Sequence, residues 1–174
     1  ISDRLLRFCV GLVGRFKGGM GHVNVVASLI FSGMSGSAVA DAAGIGKIII
    51  DMMTKTGHYT RGYAAAITAA SATIGPIIPP SIPMVLYALV SNTSIGFLFL
   101  GGILPGLIMG MVLMIMNTII SHKRGFGTEE AVPLRELPAL TVNAFPALLM
   151  PAILLYGIYG CLLYTSDAAD DGLS

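Results

Sequence analysis

Charge is what this sequence has least of. Only 11% of its 174 residues are Asp, Glu, Lys or Arg, against about 25% in an ordinary soluble domain. That is too little polar surface to dress a water-facing globule. The net charge of +1 gives no strong pull toward nucleic acid, so no nucleic-acid partner is expected. Cysteine is nearly missing too: Cys9 and Cys161 sit near opposite ends. The topology derived below places them on opposite membrane faces, so no disulfide is expected. No Cys/His cluster offers a transition-metal site, and no cofactor is implied. A signal-peptide pattern is absent, the chain opens on Ile1, and composition changes abruptly after Leu163. These features lead us to expect a fragment with neither natural end.

What is present is apolar sequence in long runs. Hydrophobic residues make up 55% of the chain and the mean hydropathy is +0.83. Residues 20–50, 63–90, 95–120 and 139–164 are each long enough to enter a bilayer, whose hydrocarbon about 20 apolar residues span. The fold class expected is an all-α polytopic membrane protein. Ahead of the first run, residues 1–19 carry Arg4, Arg7, Arg15 and Lys17 among Leu5, Phe8, Cys9, Leu12 and Phe16. Those apolar positions fall close to one helical face, which fits a short interfacial helix; a plain cytoplasmic loop is the alternative.

The run at 20–50, extended to 53, is the informative one. As one straight helix residues 20–50 would measure about 46 Å, against a hydrocarbon core of about 30 Å. Its middle reads Ser32-Gly33-Met34-Ser35-Gly36-Ser37, a stretch that turns easily and resists helix. Split there, each arm covers about 21 Å, too short to cross. A re-entrant hairpin with its tip near mid-membrane is the economical reading, because backbone at that depth must be buried in protein or line a watery cavity. Residues 63–90 carry Pro76, Pro79, Pro80 and Pro83 at their centre. Each proline leaves the carbonyl four residues earlier without its donor, here those of Ala72, Gly75, Pro76 and Pro79. We expect a broken transmembrane helix. Residues 95–120 form an ordinary span, with Gly101, Gly102, Gly106 and Gly110 for close helix contact. A polar cytoplasmic loop at 121–138 and a further span at 139–160 follow.

Charge sets the orientation. Arg4, Arg7, Arg15 and Lys17 precede the hairpin, Lys55 and Arg61 follow it, and Lys123, Arg124 and Arg135 lie in the later loop. The opposite loop, Ser91-Asn92-Thr93-Ser94, is uncharged and reads as a turn. If the hairpin returns to its side of entry, every basic loop shares one face, and the positive-inside rule makes it cytoplasmic. A true crossing at 20–50 would divide them.

A hairpin tip and a helix break at mid-membrane are the parts from which secondary transporters build ion and solute sites. Oxygens of Ser35, Ser37 and Thr73, with carbonyls freed around Gly75, Pro76 and Pro79 and the tip backbone at Gly36, would make a hard site suited to sodium. The second arm's amide end suits an anionic solute. Asp41, one turn past Ser37, is a further candidate, as is Ala72 through its freed carbonyl. Gly and Ser in membrane helices are commonly packing residues; the joint occurrence of half-length hairpin and four-proline break favours a site. His22, His58 and His122 border membrane segments and read as surface histidines. The rival reading is an intramembrane serine protease, since Gly33-Met34-Ser35-Gly36 spells a Gly-x-Ser-Gly, but a serine nucleophile needs a base in reach and no histidine lies mid-membrane. A passive channel or scaffolding subunit is a third reading.

Several motifs resemble a known family. Gly18-Gly19-Met20-Gly21-His22-Val23-Asn24-Val25, Ser35-Gly36-Ser37-Ala38-Val39-Ala40-Asp41, Thr73-Ile74-Gly75-Pro76-Ile77-Ile78-Pro79-Pro80-Ser81-Ile82 and Leu100-Gly101-Gly102-Ile103-Leu104-Pro105-Gly106 occur in the order found in the large membrane subunit of TRAP transporters, the DctM type. The resemblance covers roughly residues 4–160. It implies an elevator-type, sodium-coupled importer in the bacterial inner membrane, multi-pass, not an enzyme. Such a protein works with a small membrane subunit and a periplasmic solute-binding protein that delivers organic acids such as C4-dicarboxylates or sialic acids. By analogy Ser35 to Ser37 form the hairpin tip and Thr73 to Ser81 the broken helix beside it, with sodium between. The family's second, inverted half is absent, so this chain reads as one half of an inverted repeat that transports nothing alone. Residues 161–174 depart from the family pattern and are expected to be a non-native tail.

Overall fold

The structure is a computed structural model that describes residues 2–126 together with 141, 144–145, 149–150, 152–153 and 155–157. Every regular element among them is helical. α1 (Ser2–Val13) leads into α2 (Gly19–Ser35). Then α3 (Ala38–Asp41), a π-helical stretch (Ala42–Gly46) and α4 (Lys47–Lys55) run on as one rod, with α-helical dihedrals through each junction. α5 (Arg61–Ala72), an irregular stretch, α6 (Ile82–Ser91) and α7 (Ile95–Arg124) follow.

The first long run is interrupted at Gly36 and Ser37. Gly36 takes φ +58°, the left-handed conformation that glycine adopts most readily, and its N–H closes α2 on the Ser32 carbonyl at 3.1 Å. Ser37 is extended and caps the next helix, its hydroxyl accepting from the Ala40 N–H at 3.4 Å. The break is narrower than the sequence predicts, for α2 continues through Ser32–Ser35. The Ser32 hydroxyl donates to the Leu29 carbonyl at 2.8 Å, so it is satisfied inside the helix instead of competing with it. After the bend the chain doubles back. Ser35 bonds Asp41 near the turn, and Asn24 reaches Met53 at the far end.

The second interruption begins where α5 stops at Ala72. Pro76, Pro79 and Pro80 lie in the irregular stretch, whereas Pro83 occupies the first turn of α6. A proline there removes no helical hydrogen bond, so three prolines make the break and the fourth helps start the next helix.

α1, α2, the rod at 38–55, α5 and the later part of α7 share one apolar core, in which Val23, Val25, Ala27, Ile49, Met53 and Ala64 are fully buried, while Ala88, Ile95 and Phe99 form a second, smaller cluster between α6 and the start of α7. α1 adds Leu5, Leu6 and the free Cys9. The stripe predicted on α1 holds only in part: Leu12 and Phe16 are 50% and 61% exposed. Phe16 lies past the helix end, out of its periodicity, with its ring edge-on to His22. His22 itself is buried, its Nε2 3.2 Å from Thr118 Oγ1 of α7, a correction to the expected surface position. His58 and His122 are exposed.

α7 is 30 residues long with a mean hydropathy of 2.3 over its most apolar window. Its length of about 45 Å exceeds a ~30 Å hydrocarbon core. It runs past the predicted end at 120 to Arg124, because His122, Lys123 and Arg124 suit a helix C-terminus and Gly125 caps it on the Ser121 carbonyl. Gly102, Gly106 and Gly110 form the inward seam, four residues apart: a Cβ at Gly102 would lie 2.5 Å from the Ile77 carbonyl, one at Gly106 2.5 Å from Ile78, and one at Gly110 3.0 Å from Leu29. Gly101 faces open space, so it is not part of that contact. The predicted span at 139–160, apart from isolated positions, the loop beyond Phe126 and residues 161–174 lie outside the described residues.

Candidate functional site

The tip of the first interruption lies against the second. Gly36 abuts the Pro80 carbonyl, and a Cβ there would also come within 3.3 Å of the Ile82 nitrogen. Backbone meets backbone at this point, which no larger residue allows. On the other side of the tip Asp41 lies on Gly75: a Cβ built on Gly75 would be 2.9 Å from Asp41 Oδ2 and 3.3 Å from the Ala38 nitrogen.

Asp41 carries the electrostatics. It is 4% exposed, and its Oδ1 accepts a 2.5 Å hydrogen bond from the Ser35 hydroxyl. Ser35 Oγ in turn accepts from the Ser37 N–H at 3.3 Å. Asp41 Oδ2 is buried with no hydrogen-bond partner among the described residues. An unpaired buried carboxylate oxygen is costly, and native structures normally satisfy such a group with a donor, a water or an ion. Asp41, a further candidate in the sequence, thus bonds back across the bend through its side chain.

The break supplies fewer open oxygens than the prolines alone imply. The Ala72 carbonyl accepts from the Gly75 N–H at 3.0 Å, and the Pro76 carbonyl accepts the Ser81 hydroxyl at 2.5 Å. Tight turns and a capping serine thus recapture two of the four carbonyls expected to be free. Those of Gly75 and Pro79 have no partner among the described residues. Thr73 is exposed and its hydroxyl turns back to the Ala70 carbonyl at 2.6 Å, so it is not brought to the tip. Ser81 Oγ both bonds Pro76 and accepts from the Met84 N–H at 3.3 Å, capping α6. Gly36 thus meets Pro80 and Asp41 meets Gly75, with Ser35 bonded to Asp41 and Ser37 to Ser35, while Thr73, Ala72 and Ser81 serve the break's own geometry.

Space lies on both sides of Ser35. A cavity of about 360 Å³ is lined by Phe31, Ser35, Ala40, Asp41, Gly44 and Ile45, among others. A second, of about 240 Å³, runs between Met34, Ser35, Pro80, Ser81 and Ile82. The π-helical stretch walls the first; such wide turns occur frequently at functional sites. The donor set is oxygen only, hard and carrying one negative charge, which suits an alkali cation and not a soft metal. For the Gly-x-Ser-Gly at 33–36, the partner of Ser35 is a carboxylate. Of the histidines, His22 pairs with Thr118, and His58 and His122 lie on the surface.

Sequence reading passed over two polar clusters. Asn24, Ser28, Thr68 and Ser71 meet inside the α2–α5 contact, all at 3% exposure or less. Asn117 of α7 is 1% exposed, accepts from the Tyr63 hydroxyl at 2.7 Å and donates to the Gly18 carbonyl at 3.1 Å. The spacing Asn24, Ser28, Ser32, Ser35 along one face of α2 is the signal that could have revealed the first cluster.

Comparison with known proteins gives a consistent family. The model of the Tripartite ATP-independent periplasmic transporter, DctM component, matches residues 1–169, past residue 160 where the motif resemblance stops. The sialic acid TRAP transporter large permease protein SiaM of Vibrio cholerae is 46% identical over 97% of this chain and 39% of its own length. The C4-dicarboxylate TRAP transporter large permease protein DctM of Vibrio cholerae is 37% identical over 97% of the chain and 37% of its own length. The isethionate TRAP transporter permease protein DctMQ of Oleidesulfovibrio alaskensis is 39% identical, again over 97% of the chain, and 27% of its length is covered. The chain therefore spans well under half the length of these relatives. It belongs to the DctM family, the large permease component of tripartite ATP-independent periplasmic transporters.

Proposed function

We propose that this chain is the first structural repeat of a sodium-coupled importer of organic acids, and that the Ser35–Asp41 pair with Gly75 forms its cation site. The helix–bend–helix at 19–55 is a re-entrant hairpin, and α5, the break and α6 are one discontinuous crossing. Together they form half of an inverted-repeat elevator in the bacterial inner membrane. The intact protein works with a small membrane subunit and a periplasmic solute-binding protein, while this portion alone transports nothing. The relatives named for sialic acid, C4-dicarboxylate and isethionate carriage all handle organic anions, which supports that class of solute here.

The observation that carries the cation site is Asp41 Oδ2, buried and without a partner among the described residues where tip and break touch. Without a cation the buried carboxylate is uncompensated, which costs several kcal/mol. A sodium ion drawing on Asp41, Ser35, the tip backbone at Gly36 and Ser37, and the open carbonyls of Gly75 and Pro79 removes that cost. It also draws the two interruptions together. An organic anion then meets a neutralised site beside the cavities flanking Ser35 instead of a bare carboxylate, which is the physical basis of coupling in this scheme.

The test is sodium-driven uptake by the intact transporter with its partner proteins in proteoliposomes. Asp41→Asn is expected to abolish sodium stimulation, and Ser35→Ala with Ser37→Ala to weaken sodium dependence. Unchanged sodium activation in Asp41→Asn would overturn the site. Sodium-driven uptake by the 174-residue chain alone would overturn the claim that it is inactive by itself.

A further inference from the structure

The α2–α5 contact holds a hydrogen-bond lock that packing alone does not require. Asn24 Nδ2 donates to Thr68 Oγ1 at 2.7 Å, and Ser28 Oγ donates to Ser71 Oγ at 2.9 Å. Thr68 Oγ1 also donates to the Ala64 carbonyl at 2.7 Å, which fixes its rotamer. Ser71 Oγ lies within bonding distance of Asn24 Oδ1, 3.4 Å, and of the Thr68 carbonyl, 3.1 Å. Asn24 and Ser71 are fully buried, and Ser28 and Thr68 are 3% exposed. Apolar side chains would fill the same space with equal burial and no directional demand. Hydrogen bonds instead select one rotation and one axial register of α2 on α5.

That register decides the cation site. Ser71 precedes Gly75 by four residues, one turn before the break. Ser28 precedes Ser35 by seven, two turns along the same face of α2. The second arm rests on the same threonine, since a Cβ on Gly46 would lie 2.7 Å from Thr68 Cγ2. Thr68 is thus touched by both arms of the bend while standing on the helix that carries the break.

We infer that Asn24 and Thr68 are positioning residues for the cation site: their buried hydrogen bond sets the register that brings Asp41 Oδ2 onto Gly75. The inference rests on the sodium reading above and adds to it a pair of side chains that never touch the ion. A hydroxyl lost from Thr68 leaves the fold packed but lets α2 and α5 slip, so the ion binds more weakly at an unchanged transport cycle.

The experiment measures the sodium concentration giving half-maximal uptake by the intact transporter in proteoliposomes. Thr68→Val, which keeps the branched shape and removes the hydroxyl, is expected to raise it about ten-fold with little change in maximal rate. Thr68→Ser, which keeps the hydroxyl, is expected to stay within about two-fold of the parent. Asn24→Leu, which also loses the Ser71 contact, should weaken sodium affinity at least as much as Thr68→Val, and the double variant should be little worse than Asn24→Leu, because both single variants already remove the Asn24–Thr68 bond. Asn24→Leu could prevent folding, so the two Thr68 variants carry the result. Val25→Ala is the packing control, truncating a fully buried apolar side chain of the same helix. Thr68→Val lowering only the maximal rate would overturn the lock, and so would Val25→Ala moving sodium affinity equally. Asp41→Asn separates the two ideas. If it abolishes sodium stimulation while Thr68→Val leaves sodium affinity unchanged, the site stands and the lock falls. If it leaves sodium stimulation intact, both fall.

Discussion

α7 and the paired interruptions solve opposite problems within one chain. α7 is long and apolar, and only 22% of the residues in its most apolar window are buried within the protein. Leu104, Met111, Ile115 and Ile119 on its outer side are more than half exposed, a surface fit for lipid or for apolar parts of the same assembly. α2, α5 and α6 are short, at 17, 12 and 10 residues. The first two bury Asn24, Ser28, Ser32, Thr68 and Ser71. A helix that only has to cross needs apolar length. Helices that meet at an interruption give up length there, and they bury polar groups that must each find a partner. Glycine differs in the same way: on α7 it lets one helix approach another, whereas at the bend and the break it lets backbone approach backbone or a carboxylate.

The contrast can be broken by substitution, and the largest effect on sodium use is expected at Gly75. Gly75→Ala puts a methyl 2.9 Å from Asp41 Oδ2 and 3.2 Å from the Ala72 carbonyl. Sodium half-saturation of uptake should rise at least about ten-fold, equivalent to about 1.4 kcal/mol of binding. Gly102→Leu comes next, because the seam on α7 has no room beside the Ile77 carbonyl and Met84. Overpacking of this kind costs about 1–3 kcal/mol, to be read as a lowered melting temperature of the detergent-purified protein. Asn117→Leu removes both the Tyr63 and Gly18 hydrogen bonds and leaves the half-buried Tyr63 hydroxyl without its acceptor, while the Gly18 carbonyl keeps the Gly21 and His22 N–H groups. A loss of about 1–3 kcal/mol should appear in the same melting experiment, with sodium affinity unmoved because the site is elsewhere. The smallest effect is at Gly101, where a Cβ meets nothing within 4 Å. Gly101→Ala should stabilise by up to about 1 kcal/mol through helix propensity. A matching loss at Gly101 and Gly102 would contradict the one-sided seam.

Much of this was legible in the sequence because it depends on local chemistry. Too many residues for one straight crossing, Gly36 between serines, and a cluster of prolines locate both interruptions without tertiary information. The extent of each was harder. Ser32 looked like a helix breaker, yet its hydroxyl found the Leu29 carbonyl. Pro83 looked like part of the break, yet it starts α6. The fate of the proline-freed carbonyls at Ala72 and Pro76 depended on a turn amide and on Ser81, which spacing cannot assign. Thr73 ends α5 and is exposed, its hydroxyl held by the Ala70 carbonyl. Asn24 and Thr68 stayed hidden because their partnership joins positions 44 residues apart.

Radiolabelled sodium binding to the purified intact transporter, compared with its Asp41→Asn variant, reaches the centre of this reading without depending on uptake. Saturable binding in the parent and a loss of at least one bound ion in the variant is the expected result. Equal sodium binding by both proteins would contradict the assignment of Asp41 Oδ2 as a cation ligand.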